Sequence, residues 1–404
     1  MKTQTFARFL VVAGLCLFVG VAASWLPRLS WRLGAGDLTA YWSASYLLSH
    51  GKNFADPALL YEVERTQAHW NESWAFLTWN PPWLLALLIP YTWVSFDRAV
   101  WLWMFTSVGL VFASSMALWQ LYTPDLANKR WVYLILFLAF FFPPTALALI
   151  AGQVNVLVLA GLAGFLYWNS KRQDFIAGAA LALTMVKPHL VYITVPILLL
   201  DCLLERRWQV LAGFAAVLTG LSAVVFLLRP TFPFEYAATV GGGNLLAWQT
   251  TTLGGILDVA FGWRWSKLMC LVVLPLAIGV WWRYRWKIDL YTIVDVTLLV
   301  SVITAPYGWS YDLIVLLVPL LHVVAWVVNG EFNRAPAILF AAGLVLFYGL
   351  MFYQRTLISN EVEFFWVSIA AAGAYAACYA IKRKSARVSL GEPLCAPKRP
   401  GRLC

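Results

Sequence analysis

From Trp208 to Leu228 the chain carries no Asp, Glu, Lys or Arg. A hydrocarbon core about 30 Å thick is crossed by about 20 apolar residues as helix, so this run has the length of one crossing. Runs of this kind recur from end to end, and they limit the fold more than any other feature. Of the 404 residues, 62% are hydrophobic and 12% charged. A soluble domain has about 45–50% and about 25%. A chain this apolar could not cover its own core with polar surface, so lipid must be its solvent.

Twelve candidate spans are expected, at 9–26, 97–121, 131–150, 152–168, 174–187, 188–204, 208–228, 267–282, 288–306, 312–328, 335–352 and 363–381. The reading is an all-α polytopic membrane protein with about 12 transmembrane helices. Residues 174–204 are either two short spans or a re-entrant pair that stops near Lys187-Pro188.

The formal charge of +10 would raise the question of nucleic acid in a soluble protein. Its distribution answers otherwise. With the N-terminus inside, 19 of the 29 Lys and Arg fall on inner segments. They include Lys129-Arg130, Lys171-Arg172, Arg206-Arg207, Arg283, Arg285, Lys287, Arg334 and the cations after Ile381. The positive-inside rule then places both termini in the cytoplasm, with no nucleic-acid partner. Residues 1–381 form a single transmembrane domain, and 382–404 a basic cytoplasmic tail suited to anchoring at the inner leaflet. The first 26 residues also have the basic start, apolar run and Ala22-Ala23-Ser24 of a signal peptide. An apolar run of about 18 residues is long for that role, so an uncleaved first span is expected. No Cys falls in an outer loop, and no disulfide framework is implied.

Two outer loops, 27–96 and 229–266, are long and aromatic. The first is rich in Trp, which suits interfacial helices, and Pro81-Pro82 can start a short apolar helix over 83–93. Long structured loops are usually functional, which puts any chemistry on the outer face.

No P-loop, HExxH, nucleophile elbow or paired His/Cys metal spacing is present. Gly241-Gly242-Gly243-Asn244 lacks the ending and the strand of a phosphate loop, and reads as a flexible loop or a close backbone approach. What remains is a short set of polar residues at one depth. Asp37, in Gly34-Ala35-Gly36-Asp37, is either an N-cap for a helix from Leu38 or a carboxylate base near the membrane. Lys187 interrupts an apolar run before Pro188-His189. It either snorkels to the interface or marks a functional site able to hold a phosphate. Gln153 and Asn155 cap a turn or bond a substrate. Asp312, after Tyr311, is a helix-start acid, a sugar ligand or a partner for Lys187. Glu62, Glu64, His69 and Glu72 read as a solvated helix face, His322 as a core residue, and Arg229 and Arg264 as interface anchors.

Asp37-Leu38-Thr39-Ala40-Tyr41-Trp42-Ser43-Ala44 resembles the opening motif of polyprenyl-phosphate-sugar-dependent membrane glycosyltransferases. Asn80-Pro81-Pro82, Gly152-Gln153-Val154-Asn155, Ala177-Gly178 through Lys187-Pro188, and Arg206-Arg207-Trp208 follow in the same order. Together they resemble glycosyltransferase family 87, of the GT-C fold, which includes bacterial α-1,2-mannosyltransferases. Where the mannosyltransferases carry S-P-x-S-W-x-H-H, this chain has Ala305-Pro306-Tyr307-Gly308-Trp309-Ser310-Tyr311-Asp312, with Tyr311 and Asp312 in place of the histidines.

The resemblance implies a GT-C-like bundle in a bacterial plasma membrane, with its site on the outer face. It implies a hexose, mannose first, moved with inversion from a polyprenyl-phosphate donor to a glycolipid or glycan acceptor, without metal or other cofactor. Asp37 would be the base and Lys187 the phosphate ligand. Tyr41, Trp42, Gln153, Asn155, His189, Tyr311 and Asp312 would bind substrate. The competing class is a polytopic transporter or lipid-linked sugar flippase, which polar groups inside a many-span bundle also fit. Against it, the halves show no internal repeat.

Overall fold

Proline sets the breaks in this chain, and glycine sets how closely its helices approach. The computed structural model describes residues 33–123, 129–242, 245–357 and 360–390. The expected span at 9–26 with its signal-peptide alternative, Gly243-Asn244, and the tail from 391 lie outside the described residues.

The described residues are helical, with no strand among them. The first long loop holds α1 (Leu38–Ser49), α2 (Pro57–Gln67) and α3 (Trp83–Leu88). After it come α4 (Phe96–Tyr122), α5 (Lys129–Phe140), α6 (Pro143–Ile150), α7 (Asn155–Ser170), α8 (Asp174–Ala182), α9 (Thr194–Leu204) and α10 (Trp208–Leu228). The second long loop holds α11 (Phe232–Gly242) and α12 (Leu253–Phe261). The chain ends in α13 (Cys270–Tyr284), α14 (Leu290–Thr304), α15 (Leu317–Val328), α16 (Arg334–Leu357) and α17 (Phe365–Leu390).

Six helical stretches are long and apolar enough to cross a membrane: 96–122, 208–228, 264–284, 310–328, 334–357 and 361–384. The bent pair α5–α6 would make a seventh. The protein is thus a multi-pass membrane protein, but the described residues do not reproduce a count of about twelve. The spans expected at 152–168, 174–187, 188–204 and 288–306 are helices of 10–17 residues. α7 and α14 bury most of their side chains in the protein. A helix enclosed by other helices meets no lipid, so bilayer thickness does not set its length.

The breaks follow residue chemistry. Proline lacks an N–H and is best accommodated in a first turn, although Pro275 lies inside α13. Pro143-Pro144 accordingly opens α6, bent by 58° from α5, where one span over 131–150 was expected. Pro82 precedes α3, whose Leu84, Leu85, Ala86 and Leu88 are buried. Between α8 and α9 the helix loosens into short 3-10 turns at Leu183–Val186 and Pro188–Leu190, with Lys187 in non-helical backbone between them. Irregular backbone at this depth is tolerated where protein or a cavity surrounds it. Packing here is close. A Cβ on Gly178 would lie 1.9 Å from the Val210 carbonyl oxygen, and one on Gly213 would lie 2.0 Å from that of Phe175. Only glycine at both positions lets α8 and α10 touch backbone to backbone. α17 runs beyond Ile381, so the first tail residues are helical; Lys382 pairs with Glu331 at 3.0 Å.

Candidate active site

Two sequence-distant loops meet to build the site. Gly152 adopts φ +66°, and a Cβ there would lie 2.2 Å from the Gly34 carbonyl oxygen. Glycine alone supplies both the conformation and the space. The Gly34 N–H donates to Ile150 O and the Asp37 N–H to Ala151 O, both at 2.8 Å. This docking fixes Asp37 at the start of α1. Its side chain makes no capping hydrogen bond to α1, so the carboxylate is free for the site. The Tyr311 hydroxyl donates a hydrogen bond to it instead. Burial pushes the Asp37 carboxyl up to about 6, against the Lys187 charge and the Tyr311 hydrogen bond, which lower it.

Lys187 stands beside it, and it does not snorkel. The residue is 4% exposed, and its Nζ lies 2.7 Å from Asp312 Oδ1 and 2.7 Å from Gln153 Oε1. It also sits 5.0 Å from the centre of the Tyr311 ring. The Tyr41 hydroxyl donates to the same Gln153 oxygen at 3.3 Å. Asp312 fills two of its three expected roles. Oδ2 accepts the Trp309 N–H at 3.0 Å and closes a helix start, while Oδ1 holds the lysine. Asn155 caps no turn: its Nδ2 donates across the bundle to Tyr311 O at 2.6 Å and lies 3.4 Å from Asp312 Oδ1.

A cavity of about 590 Å³ is lined by Asp37, Tyr41, Lys187, His189 and Tyr311, with Trp79, Trp248, Tyr307 and Trp309 in its wall. Gln153, Asn155 and Asp312 are not in its lining and reach it through Lys187 and Tyr311. Among the described residues, both ring nitrogens of His189 are buried without a hydrogen-bond partner, as are Gln153 Nε2 and Asn155 Oδ1. Two other grooves, between α13 and α14 and among α15, α16 and α17, are apolar and hold no carboxylate.

Trp42 does not join the cavity. It is 2% exposed, donates to Tyr91 O at 3.0 Å and packs on Tyr46 and Phe96. Tyr41 and Trp42 are neighbours in a helix, about 100° apart around it, so facing one inward turns the other away. Glu64 departs from the solvated face expected of it: it is fully buried and accepts the Phe76 N–H at 2.9 Å. His322 is a core residue as expected, with Nδ1 2.5 Å from Asp295 Oδ2 and its ring stacked on Tyr122. Arg229 joins the two long loops, pairing with Glu235 and donating to Gly51 O at 3.2 Å.

Sequence reasoning missed Glu361. Its carboxylate accepts the Ser310 N–H at 2.8 Å and pairs with Arg355 at 2.7 Å, bracing the turn that carries Tyr311 and Asp312. Glu361 and Glu363 together read as an ordinary polar connection between two apolar runs, which gave no signal of this.

The family model of glycosyltransferase family 87 matches residues 76–306 of this chain. The chain belongs to glycosyltransferase family 87. As a member of this family it is a membrane glycosyltransferase, an enzyme with a sugar donor and a sugar acceptor. The matched region contains Gln153, Asn155, Lys187 and His189, while Asp37 and Tyr41 precede it and Tyr311 and Asp312 follow it. No curated protein and no solved structure matches the chain.

Proposed function

We propose that this family 87 glycosyltransferase moves a hexose, mannose first, from a polyprenyl-phosphate donor to a glycolipid or glycan acceptor, with inversion. The single observation that carries this reading is that one cavity presents a carboxylate, Asp37, and a cation, Lys187. The acceptor O–H attacks the anomeric carbon. Its proton passes to Asp37, and the bond from that carbon to the phosphate oxygen breaks with its electron pair on the phosphate. Burial brings the Asp37 carboxyl toward neutrality, where a general base is most effective.

Lys187 is the phosphate ligand. An ammonium has three hydrogens, of which Gln153 and Asp312 take two, leaving one for the leaving oxygen. Charge on that oxygen is then met without a metal. Tyr41, Gln153, Asn155, His189, Tyr311 and Asp312 orient the substrates; Trp42 supports α1 from behind. The distribution of Lys and Arg supports a plasma-membrane enzyme, as in a bacterial inner membrane, with cytoplasmic termini and the cavity on the outer face.

The test is transfer of labelled hexose from polyprenyl phosphate by the purified protein in lipid. Asp37→Ala should abolish it while the variant still folds. Full transfer by Asp37→Ala removes the base assignment. Movement of intact lipid-linked sugar across the bilayer without transfer would favour a flippase.

A further inference from the structure

One wall of the cavity is aromatic, and the transfer step makes no use of it. Trp248 comes from the second long loop. Its ring centre lies 5.3 Å from Tyr307, 5.3 Å from Trp309 and 5.4 Å from Trp79. It meets Tyr307 at 87° and Trp79 at 80°, edge to face rather than stacked. All four rings line the cavity and none is fully buried. The group reaches the chemistry at two points. Tyr307 lies 4.1 Å from His189, and Trp309 stacks at 6.1 Å on Tyr311, which bonds Asp37.

The position of Trp248 is clamped from below. Lys267 is fully buried, and its ammonium donates to the carbonyl oxygens of Leu246 and Trp248 and to Asp258. Those three bonds use all its hydrogens, so this cation holds a loop and has none left for a ligand. Gly254 makes room for it, since a Cβ there would lie 2.8 Å from Lys267 Cα. The Thr251 N–H and hydroxyl both donate to Gly308 O, at 3.0 and 3.1 Å, which ties the loop to the residue between Tyr307 and Trp309. A buried charge is costly unless fully paired. Here it fixes the backbone that carries Trp248, a partly buried ring in the cavity wall, the rigid aromatic anchoring that a binding site requires.

The chemistry of the wall selects its ligand. An alkyl chain would cover the rings but leave the buried His189 nitrogens without a hydrogen-bond partner, which is unfavourable for a desolvated polar group. A pyranose lays one C–H face on a ring and carries hydroxyls at its rim that can bond such nitrogens. We infer that Trp248, with Tyr307 and Trp309, forms a stacking subsite for a pyranose ring, with Lys267 holding Trp248 in place. The inference rests on the proposed transfer reaction for its ligand, and donor sugar and acceptor sugar share the required chemistry.

The experiment reads binding without transfer. Saturation-transfer NMR on the full-length protein in detergent uses two probes, a methyl hexopyranoside and a short-chain polyprenyl-phosphate hexose. Trp248→Ala should weaken binding about tenfold, and Trp248→Phe should keep most of it. Loss for the glycoside alone marks an acceptor subsite, and loss for the donor alone a donor subsite. Tyr307→Leu repeats the test should Trp248→Ala elute as an aggregate. Wild-type binding of both probes by folded Trp248→Ala, or no binding of either by the unsubstituted protein, overturns the subsite. A protein that binds through Trp248 yet never transfers sugar leaves the subsite standing and removes the transfer reading.

Discussion

Lys187 and Asp312, 125 residues apart, form an ion pair of 2.7 Å with both side chains almost wholly shielded from solvent. Neither charge could be kept at this depth alone. Removing one partner of a buried pair leaves the other uncompensated, at a typical cost of about 3–5 kcal/mol, whereas replacing both by apolar groups is often neutral. Asp312→Ala should therefore lower the thermal unfolding temperature in detergent sharply, and Lys187→Met with Asp312→Leu should recover most of it. The double variant should still be inactive in transfer. Activity in the double variant would show that the lysine holds the fold and not the phosphate.

The Asp37 carboxyl, raised by burial to about 6, must be ionised to accept a proton. The acid limb of kcat/KM should accordingly fall as pH drops through about 6. Tyr311→Phe deletes a hydrogen bond that lowers this value, so its acid limb should move to higher pH. A limb that stays put in Tyr311→Phe would separate Asp37 from the titration.

Gly152→Ala should destabilise the protein and cut transfer together. The residue holds φ +66°, and its Cβ would strike the Gly34 carbonyl. Relief of that clash means parting the two loops that set Asp37, where its N–H bonds Ala151 O. Backbone strain of this kind costs about 1–3 kcal/mol before the clash is counted. Unchanged melting and rate in this variant would disprove the loop docking.

Glu64 gives a stability signature separate from catalysis. Burial raises its carboxyl from 4.5 to about 7, with the Phe76 N–H pulling it down. The folded state holds the proton more tightly than the unfolded chain, so this group's stabilising contribution is full below about pH 4.5 and is lost as pH rises through about 7. Unfolding temperatures at about pH 5 and pH 8 should differ more for the unsubstituted protein than for Glu64→Gln. Equal differences would mean that Glu64 does not titrate with folding.

Much of this protein was legible in its sequence because the controlling physics is local. Apolar run length marked the membrane class and the positions of most helices. The break at Lys187-Pro188 followed from one charge and one proline, and Asp37, Lys187, Gln153 and Asn155 stood out as polar groups in apolar surroundings. Contacts between distant segments were not legible, because no local pattern encodes them. Trp42 looked like Tyr41's equal until helix rotation turned it into the core. Glu64 looked solvated until α2 buried it, and the short inner helices looked like full spans because apolar composition is the same against lipid or protein. The sequence by itself determined the solvent, the helices and the candidate residues. Only the tertiary structure decided that Asp37 leaves its cap to meet Tyr311, that Asp312 is the partner of Lys187, and that Trp248 stands in the same cavity. Each of those depends on direction and distance across the bundle, which chain spacing does not carry.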